Sequence, residues 1–219
     1  MASKSVSRRT FLKSALAGGA LTAVGGGTAL ARAVAALKPA EKKADYALII
    51  DTTKCVGCGA CEIACNLRNH LPAVQSYIHI LRRGEGENVR FLPVQCQHCA
   101  DPPCVHVCPC NGTYIREDGV VLLNEKLCVG CKYCIVACPY QARIFDEERG
   151  VAGKCWLCLD DVLGGGEPAC VHACVLGARL FGRIDNPDSE VTELIASGRA
   201  KLLHPEFGTE PAVLRYIIE

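Results

Sequence analysis

The chain has 219 residues, with 24 Lys and Arg against 23 Asp and Glu and a formal charge of +1, a length that suits one domain or two small ones. Residues 1–31 hold Lys4, Arg8, Arg9 and Lys13 and no acid, so the remainder is acidic, with a net charge of −3, which argues against a nucleic-acid partner. Phe, Trp and Tyr make up 5% of the chain against 17 cysteines, which excludes a large conventional aromatic core.

The amino terminus reads Ser7-Arg8-Arg9-Thr10-Phe11-Leu12-Lys13 and continues into a soft, glycine-diluted apolar stretch, Ser14 to Leu30. This resembles a twin-arginine export signal, assigned to residues 1–31. Ala29-Leu30-Ala31 is the small-residue cleavage site, with Ala31-Arg32-Ala33 as the fallback. The stretch is close to the minimum spanning length, so an uncleaved anchor stays open as the alternative. No later segment approaches that length. Neither Cys-x2-Cys-His, nor Gly-x-Gly-x-x-Gly, nor a P-loop occurs, so covalent haem and nucleotide chemistry have no support.

Residues 46–52 predict a strand running into the first of four cysteine quartets, Cys55, Cys58, Cys61 and Cys65. Residues 66–95, with Gly84-Glu85-Gly86, read as a linker. The second quartet is Cys96, Cys99, Cys104 and Cys108, followed by Pro109. Asp118-Gly119 predicts a hairpin over 113–123. The third quartet, Cys128, Cys131, Cys134 and Cys138, repeats the intervals of the first and closes with Pro139. A second hairpin is expected over 143–152, turning at Glu148-Arg149-Gly150. The last quartet is Cys155, Cys158, Cys170 and Cys174. Short helices should follow Cys61, Cys104, Cys134 and Cys170, each carrying the last cysteine of its quartet. In the cysteine-free tail, 185–190 offers N-cap chemistry for a helix to about Ala196, stopped by Gly198, and Tyr216-Ile217-Ile218 forms an apolar end. An exposed apolar end docks on something.

Three cysteines at intervals of three wrap one tight loop around the corners of a cube, and the fourth points away toward a second cluster. Gly57 and Gly130 let the backbone turn closely around inorganic sulfide. Zinc uses pairs of Cys-x2-Cys around one tetrahedral ion and fits runs of three poorly. Disulfides between cysteines so close in sequence are strained, and an odd total leaves one unpaired. Sixteen thiolates are enough for four [4Fe–4S] clusters, which leaves Cys110 spare. Clusters are built where thiols stay reduced, so an exported carrier has to travel folded. The expected fold is α+β: two pseudo-symmetric bacterial ferredoxin-like modules of short helices and β-hairpins around the clusters.

The segments Cys55 to Cys65, Gln95 to Pro109, Cys128 to Tyr140 and Lys154 to Cys158 resemble the four-cluster ferredoxin-like subunits of bacterial respiratory oxidoreductases. These include the iron–sulfur subunits of dimethyl sulfoxide, tetrathionate, thiosulfate and polysulfide reductases and the Nrf nitrite-reduction protein. The resemblance covers about 45–219. It implies a non-catalytic electron carrier, periplasmic and membrane-associated through its complex. The carrier would stand between a catalytic subunit, often containing molybdopterin, and a quinol-linked integral membrane subunit. A free periplasmic multicluster ferredoxin is the alternative.

The resemblance also implies ligand exchange between quartets. One cluster takes Cys55, Cys58, Cys61 and Cys174, and another takes Cys155, Cys158, Cys170 and Cys65. A third takes Cys96, Cys99, Cys104 and Cys138, and a fourth takes Cys128, Cys131, Cys134 and Cys108. Spacing alone says only that pairs exchange. The domains implied are an outer double-cluster module, 45–68 with 152–182, an inner one, 90–151, and a partner-docking tail, 183–219. The chain departs from the family pattern at Val175, where proline is common after the cysteine, and at Cys110, where threonine is common. Trp156 is read as packing, and His98, His106 and His172 as hydrogen-bonding or rim residues rather than metal ligands.

Overall fold

The computed structural model describes residues 44–72 and 74–218. The export signal therefore lies outside the described residues.

Strand β1, Tyr46–Asp51, is buried along its whole length, with Ala47, Leu48, Ile49 and Ile50 fully enclosed. It is the middle strand of a three-stranded sheet. On one side it pairs antiparallel with β8, Arg179–Arg183, in the register Tyr46 opposite Arg183. On the other it runs parallel to β9, Leu214–Ile217, with Leu48 opposite Leu214. A central strand needs apolar residues on both faces, which explains the continuous run Tyr-Ala-Leu-Ile-Ile. Leu48 and Ile50 face the main core, and Ala47 and Ile49 face the helix Glu190–Ala196.

Between β1 and β8 lie three two-stranded ribbons: β2, His79–Arg83, with β3, Arg90–Val94; β4, Thr113–Ile115, with β5, Val121–Leu123; and β6, Arg143–Asp146, with β7, Val151–Lys154. The second and third coincide with the predicted hairpins. The first replaces the expected linker, and Tyr77, Ile78, Leu92 and Val94 in and beside it are buried. The helices are α1 (Ala60–Arg68), α2 (Pro103–His106), α3 (Tyr133–Val136), α4 (Leu159–Leu163), α5 (Ala169–His172) and α6 (Glu190–Ala196). Cysteine thiols form part of the core itself: Cys61, Cys65, Cys99, Cys155 and Cys170 are buried in the main cluster.

The tail is not an appendage. Helix α6 packs Val191 and Leu194 against the back of β1, ending before Gly198 at φ +71° as expected. Val213, Leu214 and Tyr216 are fully enclosed, and Tyr216 Oη accepts a hydrogen bond from Gln97 Nε2 at 3.0 Å. The expectation of an exposed apolar terminus is thus corrected at Tyr216. The fully buried β1 needs cover on both edges and both faces, and residues 190–217 supply much of it.

Candidate metal centres

The four cysteine loops share one backbone device. The residue before the second cysteine of each quartet has positive φ: Gly57 at +70°, His98 at +47°, Gly130 at +68° and Leu157 at +64°. Glycine takes this conformation freely, whereas His and Leu must be held there by their surroundings. Both are, since His98 is 0% and Leu157 1% exposed. A left-handed step here bends the loop sharply, so that its first three cysteines face one space.

The third cysteine of each quartet sits on a short helix: Cys61 on α1, Cys104 on α2, Cys134 on α3 and Cys170 on α5. The fourth follows one turn later. Only Cys65 lies on its helix; Cys108, Cys138 and Cys174 lie beyond theirs, because α2, α3 and α5 last a single turn. That corrects the expectation that every fourth cysteine is helical.

The fourth cysteine crosses over. Cys55, Cys58, Cys61 and Cys174 line one pocket. Cys65, Cys155, Cys158 and Cys170 line another. Cys96, Cys99, Cys104 and Cys138 line a third. Of the remaining set, Cys134 lies within electrostatic reach of Cys128, and Cys131 is exposed. Near them, Cys108 Sγ is 3.7 Å from Cys110 Sγ, and Gly112 lies against both Cys110 Sγ and the Cys128 backbone.

Among the described residues, no three Cys, His, Asp or Glu side chains converge on a point that one ion would fill. Zinc draws its sulfurs onto one centre with bonds of about 2.3 Å, whereas a cubane spreads its thiolates over separate corners. Four thiols around a shared space have the second arrangement.

Burial pushes these thiols up as free acids. Cys65 and Cys99 are each raised to about 12, chiefly by desolvation and then by neighbouring cysteines, and Cys155 is pushed well above the ordinary thiol value for the same reasons. Such thiols stay protonated until iron takes their sulfur and displaces the proton to solvent, so cluster insertion and proton release are coupled.

Three buried cations were not anticipated from the sequence. Arg143, Lys154 and Arg179 are 5%, 4% and 3% exposed. Arg143 lies opposite Lys154 across the β6–β7 ribbon. Lys154 Nζ donates to the carbonyls of Val121 and Cys155. Among the described residues, both Nη atoms of Arg143 and Nη2 of Arg179 lack a hydrogen-bond partner. An uncompensated buried charge costs several kcal/mol, roughly, so these side chains fit a strongly anionic group in the adjoining cavities. Neutral donors join them. Asn69 Nδ2 lies 3.5 Å from Cys65 Sγ, and the Leu157 N–H lies 3.4 Å from Cys155 Sγ.

Trp156 packs as expected. Its indole N–H donates to Asn69 Oδ1, and the Arg68 guanidinium stacks on it at 5.3 Å. His98 Nδ1 accepts from the Val121 N–H at 3.2 Å, and burial holds its imidazole well below the usual range. His106 pairs with Asp101 at 2.6 Å, and His172 is exposed.

Comparison with known proteins agrees with this chemistry. Residues 47–110 and 87–184 each match a family described as a 4Fe-4S dicluster domain. Residues 5–25 match the twin-arginine translocation pathway signal sequence, which marks the protein for export to the periplasm. The sequence is 40% identical to a subunit of tetrathionate reductase from Salmonella typhimurium, over 94% of this chain and 86% of that one. It is 38% identical to one of the chains of polysulfide reductase from Wolinella succinogenes, over 76% and 91%. It is 40% identical to a subunit of sulfite dehydrogenase from Allochromatium vinosum, over 76% and 80%. No helix among the described residues is long and apolar enough to cross a membrane.

Proposed function

Since this protein belongs to the 4Fe-4S dicluster family of oxidoreductase iron–sulfur subunits, we propose that it is the electron wire of an exported respiratory complex, with four [4Fe–4S] clusters in the exchanged ligand sets given above. Each cluster, when bound, accepts and passes on a single electron.

One observation carries the reading: the pattern of exposure along the cysteines. Only Cys58 and Cys131 are exposed, and they belong to different modules. Cys155 and Cys170 are buried, and Cys155 lies within electrostatic reach of Cys96, which belongs to the other module. Cys104 and Cys134 are neighbours in the same way. These proximities support a line that begins at Cys58, runs through the Cys155 and Cys96 sets and ends at Cys131. On this reading each pseudo-symmetric module contributes one enclosed site and one terminal site, so neither module is the outer one.

The two ends also carry the apolar surface a partner needs. Val56, Ile63 and Val175 surround the first end, with Val175 87% exposed, and Val129, Tyr133 and Val136 surround the other, with Val136 86% exposed. One end would meet a catalytic subunit, probed first as a molybdopterin protein, and the other a quinol-linked membrane subunit. Along the wire the protein's own groups act by position. Buried cations, Asn69 and backbone N–H groups stabilise added negative charge, and the packed core excludes water.

The test is iron and acid-labile sulfide in anaerobically purified protein. The proposal expects about sixteen of each per chain. About eight, or a stable three-iron signal, overturns it.

A further inference from the structure

Two arginines repeat a spacing that the ligand sets do not use. Arg143 follows Cys138 by five residues and Arg179 follows Cys174 by five, and each is preceded by alanine, Ala142 or Ala178. Each opens a strand, β6 or β8, and each is buried. The corresponding residue after Cys108 is Thr113, and after Cys65 it is His70, so each module has a single such arginine.

Their surroundings match as well. Arg179 lines the cavity of Cys55, Cys58, Cys61 and Cys174, while its Nη1 lies 3.5 Å from Sγ of Cys170, a thiol of the next cavity. Gln95 Oε1 accepts from the same nitrogen at 2.8 Å and fixes the side chain. Arg143 lines the cavity of Cys96, Cys99, Cys104 and Cys138 and also faces Cys134 of the fourth set. In both modules the guanidinium lies within electrostatic reach of the third cysteines of two quartets: Cys61 and Cys170, or Cys104 and Cys134. The titratable groups that act most strongly on both are cysteines, with Tyr216 added near Arg179.

We propose that Arg143 and Arg179 are paired electrostatic positioning residues, one per module, each holding a single positive charge between the two clusters of its module. This inference rests on the ligand sets proposed above. When an electron hops within a module, one site is oxidised as its neighbour is reduced. No atom or proton moves, and the guanidinium stays charged throughout. A cation between the two sites stabilises the reduced form of either one, so it raises both potentials together. It also offsets the repulsion that an electron on one site exerts on the other. The planar fork of arginine can address two sites at once, whereas a lysine ammonium is a single point.

The test is a redox titration of the full-length, anaerobically purified holoprotein, followed by electron paramagnetic resonance, with iron counted in parallel. In Arg179→Gln two of four midpoint potentials should fall. Each should show at least a tenfold loss of the reduced form at fixed potential, about 59 mV for a one-electron couple. The other two should hold, and Arg143→Gln should move the complementary pair. Arg179→Lys should recover one potential of its pair more than the other.

Four clusters with unmoved potentials in the Gln variants overturn the inference alone. Equal iron loss in Gln and Lys variants also overturns it, because the arginine is then a structural clip. Fewer than four clusters in the wild type brings down the ligand sets first and this inference with them.

Discussion

Leu157 occupies the loop position that glycine holds at Gly57 and Gly130, and its φ of +64° is nearly theirs. The glycines were legible in the sequence because glycine advertises a left-handed backbone. His98 and Leu157 were not, because enclosure holds them there and a sequence does not display enclosure. At Gly130 the tolerance is small, since an added Cβ would lie 2.6 Å from the Gly150 carbonyl oxygen. Gly130→Ala should therefore strain the loop by about 1–3 kcal/mol and displace the β6–β7 turn. Iron should fall by roughly one cluster's worth, four atoms per chain. Retention of full iron and wild-type spectra would count against that reading of the loop. Cys108 and Cys110 pose a sharper question at the same scale, their sulfurs being 3.7 Å apart. Cys108 meets burial that raises its thiol pKa, but the Thr113 N–H, the Cys110 thiol and the N–H groups of Cys110 and Gly112 together more than offset it, and the net direction is down. Cys110→Ser should keep all its iron, and Cys108→Ser should lose or convert one cluster. The opposite pattern would transfer the ligand role to Cys110.

At the scale of elements, strands with strong signals were found where expected: β1 from its apolar run, and the two later ribbons from Asp118-Gly119 and Arg149-Gly150. The β2–β3 ribbon was missed for a physical reason. His79 to Arg83 carries no apolar alternation, and its last three residues are exposed, so nothing in it says strand except the Gly84-Glu85-Gly86 turn. The cation positions were hidden too, because an arginine in sequence reads as surface until its surroundings are known. The tail is built into the core more deeply than its apolar end suggested. Removing the chain from Asn186 onward deletes α6 and β9, taking away the buried Val191, Leu194, Val213, Leu214 and Tyr216. Fully burying each large apolar side chain contributes about 1.5–3 kcal/mol, so the loss is comparable to the whole stability of a typical domain. That truncation should yield protein without assembled clusters, as judged by its iron content and visible absorption. A truncated protein that keeps all four would show that the tail is dispensable to the core.

For the whole molecule, export and metal chemistry constrain one another. The twin-arginine match at residues 5–25 precedes a fold whose core includes the cysteines proposed to hold its clusters. Such a protein cannot cross unfolded and be completed afterward. Replacing Arg8 and Arg9 with lysine should leave holoprotein in the cytoplasm, detected by fractionation with iron still bound. Periplasmic holoprotein from that variant would mean another route carries it. The pairing of β1 with β9 adds a constraint in time. Thr52 bonds the Ile217 carbonyl across 165 residues of sequence, and that link runs beside the first strand of the fold. At about 5–20 residues per second of synthesis, β1 waits on the order of ten to thirty seconds for its parallel neighbour to be made. Until then this central, buried strand has an open edge, close in sequence behind the export address. A nascent chain is thus already addressed while it is still unfinished, and the arrival of β9, like the filling of the metal centres, separates a completed cargo from a premature one. Whatever guards the address during that interval is in effect timing the closure of this sheet.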